Sequence, residues 1–176
     1  LKLEKKIDNF IKNIYVVIDT KNFFNIKLSV KNYNNGNILT PGCLSYSLNE
    51  ARDQCKKTLE NKKIIHMLID NYRVNNKNYS FLPKNLKCHK YSLDVRFICL
   101  SNNLIKELEN CLEKYQISIN KIICAEYVTS YFENNRDDFF KKTKKITDGC
   151  NSNEVEFHNK ISRNVGFFEK FFNFFR

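Results

Sequence analysis

The sequence predicts an α+β domain, a small mixed and mostly antiparallel sheet with flanking helices, followed by a linker and a C-terminal amphipathic helix. Three observations carry that reading. Short β-rich runs recur between segments of helical spacing, polarity changes after Phe132, and the end of the chain segregates phenylalanine from charge. Hydrophobic residues fill 42% of 176 positions, enough for one packed domain and a tail.

Leu3, Ile7, Phe10, Ile11 and Ile14 recur at helical spacing and predict a short amphipathic helix over residues 2–13. Ile14-Tyr15-Val16-Val17-Ile18 is a β-rich run suited to a buried strand. Ile26, Leu28 and Val30 alternate with polar residues up to a turn at Asn34-Asn35-Gly36. Ser47-Leu48-Asn49-Glu50 has the pattern of a capping box, which places a helix start there and its body through Leu59. Lys63–Val74 and Tyr91–Leu100 read as strands on either side of a loop containing Pro83. Asn102 or Asn103 is placed to cap a helix with the stripe Leu104, Ile105, Leu108, Leu112 and Tyr115. Ile117–Cys124 completes the strands, and residues 126–132 begin a last short helix. The domain is thus expected over residues 1–132.

Thirty Lys and Arg oppose 19 Asp and Glu, a net charge of +11 that suits nucleic acid, anionic lipid or an acidic protein. The same excess, beside 26 Asn, is also what AT-rich coding produces. Residues 133–176 hold nine basic and seven acidic side chains, so the basic surface belongs mainly to the first 132 residues. Seven cysteines without a signal-peptide pattern predict free thiols in a reducing cytoplasm. No apolar run approaches the ~20 residues that span a bilayer.

Residues 133–163 lose periodicity and gather Asn, Ser and mixed charge, including Lys141-Lys142-Thr143-Lys144-Lys145, and read as a polar linker. A coil of that length spans on the order of 30 Å. Residues 164–176 follow. On a helical wheel Val165, Phe167, Phe168, Phe171, Phe172, Phe174 and Phe175 occupy one half of the circumference. Gly166, Glu169, Lys170, Asn173 and Arg176 occupy the other. A strand would scatter the paired Phe over both faces. The segment is therefore expected to lie on a membrane, rings at the acyl boundary and Lys170 and Arg176 toward anionic headgroups. Packing onto the chain's own domain, or onto another protein, are the alternatives. Full burial of one Phe contributes about 1.5–3 kcal/mol, but so short a helix must fold on arrival, so binding should be reversible.

Motifs for catalysis are missing from the sequence. His66, His89 and His158 lie far apart, and no C-x-x-C or H-x-x-x-H spacing supports zinc. Neither a G-x-x-x-x-G-K-[ST] nor a G-x-G-x-x-G loop occurs, and four glycines leave little material for cradling phosphate. Val17-Ile18-Asp19-Thr20 lacks the glycine of an actin-like phosphate loop. No enzyme activity, cofactor, metal or nucleotide is expected. Tyr and Phe amid Lys and Asn offer stacking platforms, yet they sit mostly at buried periodic positions and no RNP-type motif appears, which disfavours nucleic acid.

Residues from Ile11 to about Phe132 resemble the small inserted subdomain, SHS2 or 1C, of FtsA, the actin-like membrane anchor of the bacterial divisome. Ile65-His66-Met67-Leu68, with Tyr72 and Val74, is similar to the family strand V-L-H-V-x-P-x-x-Y-x-V-D. Pro83 stands at the Pro of its N-P-x-G-M loop, with Leu86 for the Met. Lys90-Tyr91 and Leu93-Asp94-Val95 stand at its next strand, and Cys111–Ile119 resembles C-V-E-R-A-G-L-x-V. Ile69 replaces the family Pro, Asn75 its Asp and Gln116 its helix-ending Gly. The family's nucleotide-binding subdomains have no counterpart in the sequence. Its members also end in a linker and a membrane-targeting amphipathic helix, which Val165–Arg176 resembles.

The resemblance implies a non-enzymatic divisome adaptor at the cytoplasmic face of the inner membrane, at the division site. It implies later division proteins such as FtsN as partners. It places the FtsZ contact mainly on a subdomain missing from this sequence, and it names no docking residues. The alternatives are a basic nucleic-acid-binding module and a degenerate FtsA-like remnant.

Overall fold

A computed structural model describes residues 2–133 and 136–156. Helix α1 (Lys2–Ile7) is shorter than its periodicity predicts. It ends because Asp8 turns left-handed at φ 50°, and Asn9 N–H reaches back to the Glu4 carbonyl at 3.4 Å. Phe10, expected on the helix stripe, is 82% exposed.

Strands β1 (Asn13–Ile18) and β6 (Ser118–Cys124) form a separate parallel pair. The larger sheet is antiparallel, in the order β2 (Phe24–Tyr33), β5 (Lys90–Ser101), β3 (Lys62–Val74) and β4 (Lys77–Tyr79). The chain is thus α+β, with its parallel and antiparallel pairings in two sheets. The sequence reading did not include β4, which returns from β3 through Asn75-Asn76. Both asparagines adopt positive φ, 50° and 63°, as a two-residue hairpin turn requires. Gly36, at φ 80°, closes the turn after β2, and its N–H donates to the Cys88 carbonyl.

Helix α2 (Pro41–Thr58) begins six residues before the expected capping box. Pro41 sets the helical φ at the first position, where its missing N–H costs nothing. Ser47 is mid-helix and buried, and its hydroxyl contacts Tyr91 Oη at 3.0 Å and accepts from Asn32 Nδ2 at 3.1 Å. A tertiary pairing thus uses the group that the local pattern assigned to a cap. Leu44, Leu48, Ala51 and Cys55 of α2 cover one face of the sheet, against Val30, Met67, Ile69, Leu93, Val95 and Cys99.

Among the described residues, two smaller clusters cover part of the opposite face. Leu68 and Ile98 meet Ile123 of β6 and Tyr127, Val128 and Phe132 around α4 (Ala125–Tyr131). Leu100 meets Ile105 of α3 (Asn102–Glu113), whose cap is Ser101, accepting from Asn103 N–H. Of the predicted α3 stripe only Ile105 is fully buried, and Tyr115 is 59% exposed. The sheet also carries partly exposed pairs, including the two-pronged Arg96–Asp70 contact at 3.0 and 3.1 Å.

The linker expected over 133–163 is corrected by the structure. Asp138 caps helix α5 (Phe139–Thr147), accepting from Lys141 N–H at 2.9 Å. Thr143 and Ile146 lie buried on its inner face while the lysines remain in water, so a solvated charge run conceals an amphipathic helix. Gly149, at φ 76°, ends α5; its N–H bonds the Ile146 carbonyl and Cys150 N–H the Lys145 carbonyl. Residues 153–155 then run antiparallel along the edge of β3, with Ile69 N–H on the Asn153 carbonyl (2.9 Å) and Val155 N–H on the Met67 carbonyl (2.8 Å). The folded body therefore continues beyond Phe132, at least to Glu156. Residues 157–163 of the predicted linker and the terminal segment 164–176 lie outside the described residues.

Candidate functional site

The predicted membrane-binding residues, Val165, Phe167, Phe168, Lys170, Phe171, Phe172, Phe174, Phe175 and Arg176, all lie outside the described residues. No helix among the described residues is long and apolar enough to cross a membrane. What the structure does bring together is a buried polar cluster and, beside it, a basic cleft where the described chain ends.

The cluster begins with His66, set by β3 into the interior with its side chain 0% exposed. Cys124 N–H donates to Nε2 at 3.1 Å, so that nitrogen is the acceptor and Nδ1 carries the proton. Nδ1–H donates to Glu154 Oε1 at 2.8 Å. Lys121 Nζ donates to the same oxygen at 3.1 Å, and the Tyr127 hydroxyl donates to Oε2 at 3.0 Å. Asn151 Nδ2 in turn donates to Tyr127 Oη at 2.7 Å. The His66 and Tyr127 rings stack obliquely, centroids 4.8 Å apart.

Burial pushes the Glu154 carboxyl up, but the His66 hydrogen bond and the Lys121 charge outweigh it and hold the group below the usual range. Burial would also depress Lys121, yet its carboxylate partners Glu156 and Glu154 keep it raised. Tyr127 is raised by burial. The result is a charged, satisfied knot that ties β3, β6 and α4 to the 151–156 segment. For His66 to act as a base, its bond from Cys124 N–H must first break.

The cleft opens beside this knot, with a volume of 530 Å³. The end of α2 supplies Arg52 and Lys56, the start of β3 supplies Lys62 and Lys63, and Asn102 stands at the first turn of α3. Leu59, Ile64 and Ile65 form an apolar wall, and Lys121, Glu154 and Glu156 close one side. A second hollow, 620 Å³, lies at the other end of the sheet around Lys31, Arg73, Lys90 and Tyr33. Lys90 Nζ sits 5.1 Å from the Tyr33 ring centroid.

The cysteines behave mostly as packing residues. Cys55 and Cys99 touch within the core, and burial first, then the Cys55 neighbour, pushes the Cys99 thiol up to about 12. Among the described residues no group of three or more His, Cys, Asp or Glu is placed to hold a metal ion.

Sequence reasoning placed His66 on a strand but missed its partners. A histidine inside the run Ile64–Ile69 signals that some buried polar group must meet it. Which group cannot be read locally, since Glu154 is 88 positions away. No protein-family model and no curated protein matches this chain.

Proposed function

We propose that this chain is a non-enzymatic adaptor of bacterial cell division, docking later division proteins at the cytoplasmic face of the inner membrane. The observation that carries the reading is the terminal segment, where six phenylalanines and Val165 share one side of a helical wheel. The likeness to the FtsA subdomain adds the division context, and two local features support that likeness. Gln116 holds the left-handed backbone, φ 59°, at the position where the family carries glycine. Asn75, in place of the family Asp, sits in the turn that ends β3. Ile69, in place of the family Pro, departs from the family: its N–H binds the Asn153 carbonyl, a bond proline could not make.

The body is the docking surface and the tail the anchor. Partners are later division proteins of the FtsN kind, and contact with FtsZ is not part of the proposal. A fluorescent fusion to the full chain, followed in dividing cells, tests it. Accumulation at the septum is the expected result, whereas uniform cytoplasmic or nucleoid fluorescence refutes it.

One observation favours a second reading. The hollow around Lys31, Arg73 and Lys90 presents Tyr33, 68% exposed, beside three cations, a combination suited to stacking a base next to phosphate. A salt-sensitive gel shift with single-stranded RNA, abolished by Tyr33→Ala, would support this reading instead.

A further inference from the structure

We infer that the cleft between the end of α2 and the start of β3 is a second membrane contact, one that takes the phosphate headgroups of anionic phospholipid. This rests on the membrane reading of the terminal segment and deepens it, by giving the folded body its own share of the binding.

Three observations place the contact there. Among the described residues, the cleft is lined by five basic side chains, Arg52, Lys56, Lys62, Lys63 and Lys121, against the carboxylates Glu154 and Glu156. Both carboxylates face Lys121, and the basic side chains of the lining outnumber them five to two. Asn102 adds the positive end of the α3 dipole to that rim. Second, the wall of Leu59, Ile64 and Ile65 gives the lysine stems an apolar bed, from which charged ends reach an interface. Third, the chain leaves the described body at this rim. Glu156 lines the cleft, and residue 164 is only eight positions further on, a reach of at most about 28 Å. A tail seated on lipid therefore holds this cleft within that reach of the same surface. The second hollow, though basic, is at the opposite end of β3 from that exit.

Each lysine near an anionic surface contributes roughly fivefold to partitioning, so neutralising three is worth about 100-fold. The test uses the full chain and vesicles of phosphatidylcholine with and without phosphatidylglycerol. The variant Lys56→Gln/Lys62→Gln/Lys63→Gln is expected to lose about 10- to 100-fold of its binding to phosphatidylglycerol vesicles, with unchanged thermal melting. A control of equal net charge, Lys27→Gln/Lys31→Gln/Lys90→Gln, should lose less than about threefold. Equal losses in both variants, or none in the first, overturn the cleft assignment. So does lysine-dependent binding of single-stranded RNA that vesicles fail to displace. Phe168→Asp/Phe172→Asp separates the two claims. If it abolishes binding while the cleft variant leaves it intact, the tail anchors and the cleft does not. If neither variant changes the binding of wild type, or wild type binds no vesicle, the membrane reading itself fails.

Discussion

Removing the Glu154 carboxylate should cost the body about 3–5 kcal/mol, because a single acceptor holds three donors from three different elements. The donors are His66 Nδ1 at 2.8 Å, Lys121 Nζ at 3.1 Å and Tyr127 Oη at 3.0 Å. In Glu154→Ala, His66 keeps a buried N–H with no acceptor, which alone costs about 1–3 kcal/mol. Lys121 can turn toward water and Glu156, since its side chain is 22% exposed, so its share is smaller. Tyr127 loses its acceptor but keeps the Asn151 donor, adding about 1 kcal/mol. With the Lys121 share added, the sum reaches about 3–5 kcal/mol. It is a large part of a total stability of about 5–15 kcal/mol. Urea unfolding followed by circular dichroism reads it directly. With a slope near 2 kcal/mol/M, the midpoint should fall by roughly 2 M at unchanged slope. A fall below about 0.3 M would refute the reasoning and reduce the cluster to a solvated surface contact.

Other outcomes follow from the same geometry. The folded state holds the Glu154 carboxyl below its ordinary value of 4.5, so its stabilising effect is fully present above that pH and is lost as pH falls through the folded value. Acid titration of stability should therefore be steeper below pH 4.5 in wild type than in Glu154→Gln, and identical slopes would contradict the assignment. Gln116→Gly should raise stability by about 0.5–1 kcal/mol in thermal melts, since glycine adopts φ 59° without the steric cost borne by glutamine; a loss would count against the strain. Ile69→Pro deletes the N–H that binds Asn153, so amide exchange at Val155 should speed up at least tenfold while the β3–β5 ladder stays protected. Uniform acceleration throughout β3 would mean that 153–155 is not a separately anchored edge.

The strands were largely legible because each is a β-rich run bounded by turn residues. Ile14–Ile18, Ile26–Val30, Lys63–Val74, Tyr91–Leu100 and Ile117–Cys124 all fall within observed strands or overlap them almost fully. Local patterns failed where a side chain had a distant partner. Ser47 reads as a cap until Tyr91 and Asn32 are known to meet it. The 136–156 stretch reads as a spacer because four lysines mask a stripe of Phe139, Thr143 and Ile146 at helical spacing. Its start and stop signals, Asp138 and Gly149, were nevertheless there to be read. The polar cluster was least legible. Each member looks ordinary alone, and only the fold brings residues 66, 121, 127 and 154 within 3.1 Å of common atoms. The cleft was invisible for the same reason, being the junction of α2, β3 and the 154–156 edge.

Co-sedimentation with anionic vesicles, comparing the full chain with a version ending at residue 163, bears most directly on whether this protein works at a membrane. The full chain should pellet with the vesicles, and the shortened one should stay largely in the supernatant, retaining only the weaker attraction of the basic cleft. Equal pelleting of the two would contradict the account, because the phenylalanine face would then contribute nothing to holding the body on lipid.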